Sequence, residues 1–171
     1  MITIRPEEPK DHSAVRALNL AAFEDGPEAE LVDTLRASCR DHLSLVAEEE
    51  GRIVGHILFT PVALESPEGT AEGMGLAPMA VLPDRQREGI GSALVSRGLE
   101  MLVEWSTPFV VVLGHPEYYP RFGFELASRR GLRSQWDGVP DEAFMVRVYD
   151  QAALPDGGGV AKYRDDFDAA M

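Results

Sequence analysis

The 171-residue chain contains one cysteine, Cys39. An internal disulfide therefore cannot form, and no cysteine-rich metal site can be assembled. Long apolar runs are also missing. The longest resemble residues 109–113 in length, far short of the ~20 apolar residues a membrane-spanning helix needs. The N-terminal stretch MITIRPEEPK lacks the basic start and apolar core of a secretory leader. A cytoplasmic home fits these absences best, with no membrane partner. Positive charge is scarce as well: 16 Lys and Arg stand against 29 Asp and Glu, a formal net charge of −13, and no Lys/Arg-rich face offsets it locally. Such a chain repels a phosphate backbone, which disfavours direct nucleic-acid binding. The same charge can steer cationic amines toward the protein, or serve only solubility and salt tolerance.

What is present is ordinary for a globular protein, with 44% hydrophobic and 26% charged residues. The length suits one domain over residues 1–171. Within it, residues 155–171 form a tail in which three glycines precede Tyr163 and Phe167, aromatic residues able to pack back onto the domain. A short strand opens the chain at residues 1–5. Asp11 is placed to cap a helix carrying Val15, Leu18 and Ala22, and Pro27 to occupy the first position of a second helix carrying Ala29, Leu31, Val32 and Leu35. Residues 42–47 and 53–64 read as strands joined by the acidic turn 48–51, a hairpin. After a turn at 66–69, residues 74–82 return as a strand interrupted by Pro78, which cannot donate to a ladder.

Ile90, Ala93, Leu94, Met101 and Leu102 predict a helix over residues 88–104, with Gly98 allowing close approach to a sheet. The wholly apolar run 109–113 suits a strand covered on both faces. One or two helical turns are expected from Pro116 to the stop at Gly123, then strands at 124–127 and 144–149 joined by a polar loop. Only the step from residue 74 through the long helix to residue 109 reads as a parallel crossover. The expected fold class is thus mixed α/β (α+β), a mostly antiparallel sheet of about six to seven strands flanked by helices. There is no internal repeat.

Chemistry concentrates in residues 81–94, VLPDRQREGIGSAL. A strand ends, a polar loop carries Arg85 and Arg87, and a helix starts near Gly89 and Gly91. The first turn of a helix leaves backbone N–H groups unpaired and carries partial positive charge, and glycine lets a phosphate approach the backbone. Taken alone, the two glycines fit a tight strand-to-helix turn equally well. A dinucleotide fingerprint is excluded by Leu94, which stands where its third glycine belongs, and no Gly-Lys-Ser/Thr exists for a P-loop.

Gln86-Arg87-Glu88-Gly89-Ile90-Gly91 resembles the Arg/Gln-x-x-Gly-x-Gly/Ala loop of the GNAT superfamily of N-acetyltransferases. Downstream, Tyr119-Pro120-Arg121-Phe122-Gly123-Phe124 is similar to that superfamily's Tyr-x-x-x-Gly-Phe motif, in the expected order after an apolar strand. The resemblance covers roughly residues 2–149 and is closest to predicted bacterial acetyltransferases whose second motif reads Tyr-Tyr-x-Arg-Phe-Gly-Phe. It implies acetyl-CoA as co-substrate and no metal. The backbone amides of Arg87, Glu88, Gly89, Ile90, Gly91 and Ser92 would hold the pyrophosphate, Gln86 would also bind the cofactor, and Met79, Ala80 and Val81 would line the pantetheine arm. Pro78 would help the sheet splay at the cofactor site. Met79 and Ala80 amides would receive charge developing on the acyl oxygen. Tyr119 would donate a hydrogen bond to the departing thiolate, with Tyr118 as packing or substrate wall.

The resemblance further implies that the acceptor is a primary amine on a small molecule or protein. A non-catalytic acyl-CoA-binding or sensor module on the same fold is the alternative, and a homodimer stays open. The general base is not specified by the sequence: Glu24, Asp25, Glu28 and Glu30 border the implied acceptor site, yet carboxylate runs are usually solvated faces. His56 and His115 could relay a proton through water or serve structure alone. Many superfamily members carry an asparagine shortly before the tyrosine, and this chain has none between Val112 and Pro116.

Overall fold

The computed structural model describes residues 1–170. The chain divides into two compact units: Met1–Thr60 with Ala77–Glu100 and the segment from Asp165 on, and Pro61–Leu76 with Met101–Arg164. The first unit is built on antiparallel strands β1 (Thr3–Pro6), β2 (Leu43–Glu49) and the leading part of β3 (Arg52–Ser66). Thr3 pairs with Glu48 and Leu43 with Phe59, and a bulge falls at Ala47/Glu48. Glu50 and Gly51 form the two-residue hairpin tip with φ of 50° and 81°. Two successive positive values match the right-handed twist of the flanking strands, so the expected hairpin closes tightly.

Helices α1 (His12–Ala22) and α2 (Glu28–Ser38) follow β1, burying Val15 and Leu18, and Ala29, Val32 and Leu35. Asp11 stands at the N-cap position of α1 but makes no side-chain cap bond. Its carboxylate instead accepts from Arg5 at 2.7 and 3.0 Å and from the Glu8 amide at 2.8 Å. A two-pronged pairing with a guanidinium outcompetes a single bond to a backbone amide. Pro27 likewise lies one position earlier than expected, at the N-cap of α2. The tail returns to this unit: residues 165–170 pack against α2, with Phe167 buried.

Helix α3 (Ile90–Glu104) lies over β3 within this unit. The close approach expected at Gly98 is realised, since a Cβ there would fall 2.4 Å from the Phe59 ring. Gly55 serves the same end from the sheet side, where a Cβ would meet Ile90 and Leu94 at 2.9 and 3.0 Å.

In the second unit, β4 (Gly69–Val81) runs parallel to β5 (Phe109–Leu113), the one crossover through α3 that the sequence predicts. β5 is fully buried up to Val112, as its unbroken apolar run requires. It pairs antiparallel with β8 (Phe144–Val148), which pairs with β6 (Glu125–Leu126). The far end of β3 pairs with β9 (Gly159–Lys162), and β9 with β7 (Leu132–Ser134). The described residues thus give nine strands in the order β1-β2-β3-β4-β5-β8-β6, with β9 and β7 branching from β3. The class is the expected mixed, mostly antiparallel sheet with helices, enlarged by β7 and β9. Tyr163 is buried just beyond β9.

Candidate active site

The ladder between β4 and β5 comprises Met74–Leu76 against Val110–Val112 and ends there, just short of Pro78. Past it, Met79 and Val81 are half-buried and Ala80 is buried. The chain then leaves the sheet through a single 3₁₀ turn, Pro83–Arg85, fixed by Leu82 N–H to the Val54 carbonyl (3.0 Å) and Arg85 N–H to the Leu82 carbonyl (2.8 Å). The Gln86 side-chain amide donates back to the Val81 carbonyl at 3.2 Å.

Residues 86–89 are exposed, as an anion-gripping turn requires. Arg87 and Gly89 both take positive φ, 67° and 87°. At Gly89 that conformation favours glycine, and a Cβ there would meet nothing within 4 Å, so the space beside it is open. The first i to i−4 bond of α3 runs from Ala93 N–H to the Gly89 carbonyl at 3.0 Å. The amides of Ile90 and Gly91 therefore lie ahead of it, where helix geometry supplies no carbonyl. Ile90 contributes only backbone, since its side chain is in the core.

One feature of the loop was not foreseen from sequence. Arg85 is held by Glu49 at the end of β2 (2.6 Å) and by Glu88 (3.1 and 3.2 Å). These bonds raise the pKa of its guanidinium, and Arg85 in turn lowers that of Glu49. Arg85 is thus already engaged, leaving Arg87 as the exposed cation of the turn.

Tyr119 belongs to the second unit, at the start of a 3₁₀ turn, Tyr119–Phe122, closed by Gly123 in the left-handed region (φ 88°). The turn is shorter than expected, and residues 116–118 form a plain turn before it. His115 starts that turn with its carbonyl, accepting from the Tyr118 and Tyr119 amides at 3.1 and 3.4 Å, while the residue itself is exposed. The Tyr119 ring is buried edge-on against Tyr118 and Phe124 at 5.0 and 5.8 Å between centroids. Burial, with a smaller contribution from Tyr118, pushes its phenol well above the ordinary range, so it keeps its proton. Arg121 lies over the Tyr118 ring, 4.4 Å from its centroid. The Arg147 guanidinium occupies the space beside Gly123 that any side chain would need.

His56 is fully buried on β3. Its Nε2 lies 2.8 Å from Ser44 Oγ, which donates to Glu7 Oε1 at 2.8 Å, and Arg36 grips Glu7 at 2.6 and 3.1 Å. Since the hydroxyl proton goes to the carboxylate, His56 donates from Nε2 and its buried Nδ1 has no hydrogen-bond partner among the described residues. Burial pushes the imidazole down to about 4, so it is neutral. Burial also raises the Glu7 carboxyl, but the hydrogen bonds from Arg36 and Ser44 bring it below the usual range. Sequence reasoning finds His56 but not this chain, because its members come from positions 7, 36, 44 and 56. The other candidate bases lie elsewhere in the first unit. Glu24 and Asp25 are exposed with φ of 50° and 62°, Glu30 is exposed, and Glu28 is half-buried with one oxygen lacking a partner among the described residues. No group of three metal-ligating side chains occurs among the described residues, and none of their helices is long and apolar enough to cross a membrane.

Residues 3–127 match the model of the acetyltransferase (GNAT) domain. The chain is 38% identical over 165 residues to the uncharacterized N-acetyltransferase YhbS of Escherichia coli K12, covering 96% of this chain and 97% of that protein. The crystal structure of E. coli YhbS in complex with CoA superposes with a TM-score of 0.88 at 36% identity, covering 98% of this chain and 92% of that one. A GNAT family acetyltransferase from Brucella melitensis in complex with acetyl-CoA gives a TM-score of 0.78 at 35% identity, covering 98% of each chain.

Proposed function

Because the chain belongs to the acetyltransferase (GNAT) family, we propose that it moves an acetyl group from acetyl-CoA to a primary amine, on a small molecule or a protein, by direct attack. One observation carries this reading: the exposed turn 86–89 ahead of α3, with its positive φ values at Arg87 and Gly89 and open space where a Cβ would stand. That shape and polarity fit a pyrophosphate. The co-crystallised CoA of E. coli YhbS and acetyl-CoA of the Brucella protein support the same cofactor here.

In this reading the amides of residues 87–92 hold the pyrophosphate, and Met79, Ala80 and Val81 run beside the pantetheine arm. Bound acetyl-CoA supplies an acyl carbon activated by a thiolate leaving group. The Met79 and Ala80 amides receive the negative charge that develops on the acyl oxygen, in surroundings where burial strengthens such hydrogen bonds. Tyr119 donates a hydrogen bond to the departing sulfur and, with its raised pKa, retains the proton throughout. The net charge of −13 draws cationic amines toward the protein and keeps nucleic acid away, consistent with a cytoplasmic enzyme.

Calorimetry with CoA tests the turn, and thiol release from acetyl-CoA across a panel of amines tests turnover. Binding with amine-dependent thiol release is the expected result. Binding without release from any amine would make the chain a cofactor sensor, and absence of binding would remove the reading altogether.

A further inference from the structure

The pyrophosphate turn contains a residue of the wrong charge. Glu88 lies between Arg87 and Gly89, the two positive-φ residues that shape the turn. A carboxylate there opposes the approach of a doubly charged phosphate group. Arg85 folds back on it, with its Nε donating to both Glu88 oxygens at 3.1 and 3.2 Å. The other end of the same guanidinium is anchored outside the turn, NH1 to Glu49 Oε1 at 2.6 Å, so Arg85 does not depend on Glu88 to stay in place. The arginine is only 20% exposed and the glutamate 47%. A doubly anchored cation therefore faces a more exposed anion.

We propose that Arg85 and Glu88 are a charge-cancelling pair that sets the affinity of the turn for the cofactor's pyrophosphate, with Arg85 neutralising Glu88 instead of touching the phosphates itself. The inference rests on the cofactor reading above. It makes Arg85 a positioning and affinity-setting residue and Glu88 a built-in brake. A turn lacking the glutamate would hold its cofactor, and the CoA product, more tightly, so the pair gives a route by which release of CoA is kept easy.

Two accounts of Arg85 predict different patterns. If the charges cancel, Arg85→Ala exposes the brake and Glu88→Gln removes it, and the effects oppose. If Arg85 is a strut that shapes the turn by gripping Glu88, both changes loosen the turn and both weaken binding.

The test is calorimetry of CoA binding to the full chain and to Arg85→Ala, Glu88→Gln and the double variant, at low and high salt. Charge cancellation predicts Kd raised roughly three- to tenfold by Arg85→Ala, lowered by a similar factor by Glu88→Gln, and near wild type in the double variant, each effect shrinking as salt rises. Arg85→Lys, which keeps the charge, should bind nearly as wild type. Weaker binding in both single variants, no recovery in the double variant, or unchanged affinity without Arg85 would each overturn the proposal. Glu88→Gln guards the result against misfolding, because a surface variant that binds more tightly must be folded. If the unmodified chain itself binds no CoA, the cofactor reading fails first, and this inference falls with it.

Discussion

The ring of Tyr119 fills the space that a side chain at Gly114 would need: a Cβ built at Gly114 would lie 2.3 Å from Cε2 of that ring. The tyrosine is thus fixed from below by a missing side chain five positions upstream. Gly114→Ala must displace the ring. The expected cost is about 1–3 kcal/mol of stability, as for other overpacked sites, with turnover reduced and CoA affinity kept. Urea unfolding and steady-state kinetics measure the two, and a variant with both unchanged would show that the ring's position carries no function.

Removing only the hydroxyl isolates its chemistry. Tyr119→Phe should lower turnover by roughly ten- to a hundredfold or more while leaving the CoA dissociation constant nearly as it was. Since burial keeps the phenol protonated, the wild-type rate should show no loss attributable to Tyr119 ionising near its ordinary pKa of about 10. A wild-type decline centred there that vanishes in the variant would place the phenol in solvent instead.

At Gly89 structure and binding should separate. With φ at 87° and nothing within 4 Å of a built Cβ, Gly89→Val meets no neighbour and suffers only backbone strain, of order 1–3 kcal/mol. The side chain would stand where a phosphate must approach, so CoA binding should fall by at least an order of magnitude while the folded spectrum is kept. Equal affinity would move the pyrophosphate elsewhere.

Acid should loosen the first unit through His56. Its folded-state pKa of about 4 lies below the unfolded value of about 6.5, so the unfolded chain takes up the proton first. Stability is therefore full above pH ~6.5 and is lost as the pH falls toward ~4, by up to about 3 kcal/mol. The groups facing the imidazole, Glu7, Arg36 and His42, modulate the loss but do not reverse it. His56→Gln removes the titration. Urea unfolding between those pH values should show a flatter dependence for the variant, and parallel curves would exclude His56 as the source.

The sequence reveals those parts of the fold and site whose signal is local. The apolar run of β5, the helical spacing of α3 and the paired glycines at its start each sit within a few residues, and each is found where it is read. β7 and β9 escape because they have three and four residues, too few for alternation to register. Asp11 illustrates a different failure. Its position announces a cap, but a guanidinium six residues earlier claims the carboxylate, and only the folded arrangement of Arg5, Glu8 and Glu48 shows this. The Arg85 clamp is missed likewise, since half of it comes from Glu49 across the hairpin.

The packing of residues 165–170 on α2 bears on how the protein comes into being. Ser38 of α2 donates to Asp166, a partner 128 positions away in the chain. A ribosome therefore completes α2 long before it makes the segment that shields it. The seat of Phe167 on α2 therefore stays uncovered in the nascent chain until this segment has been made.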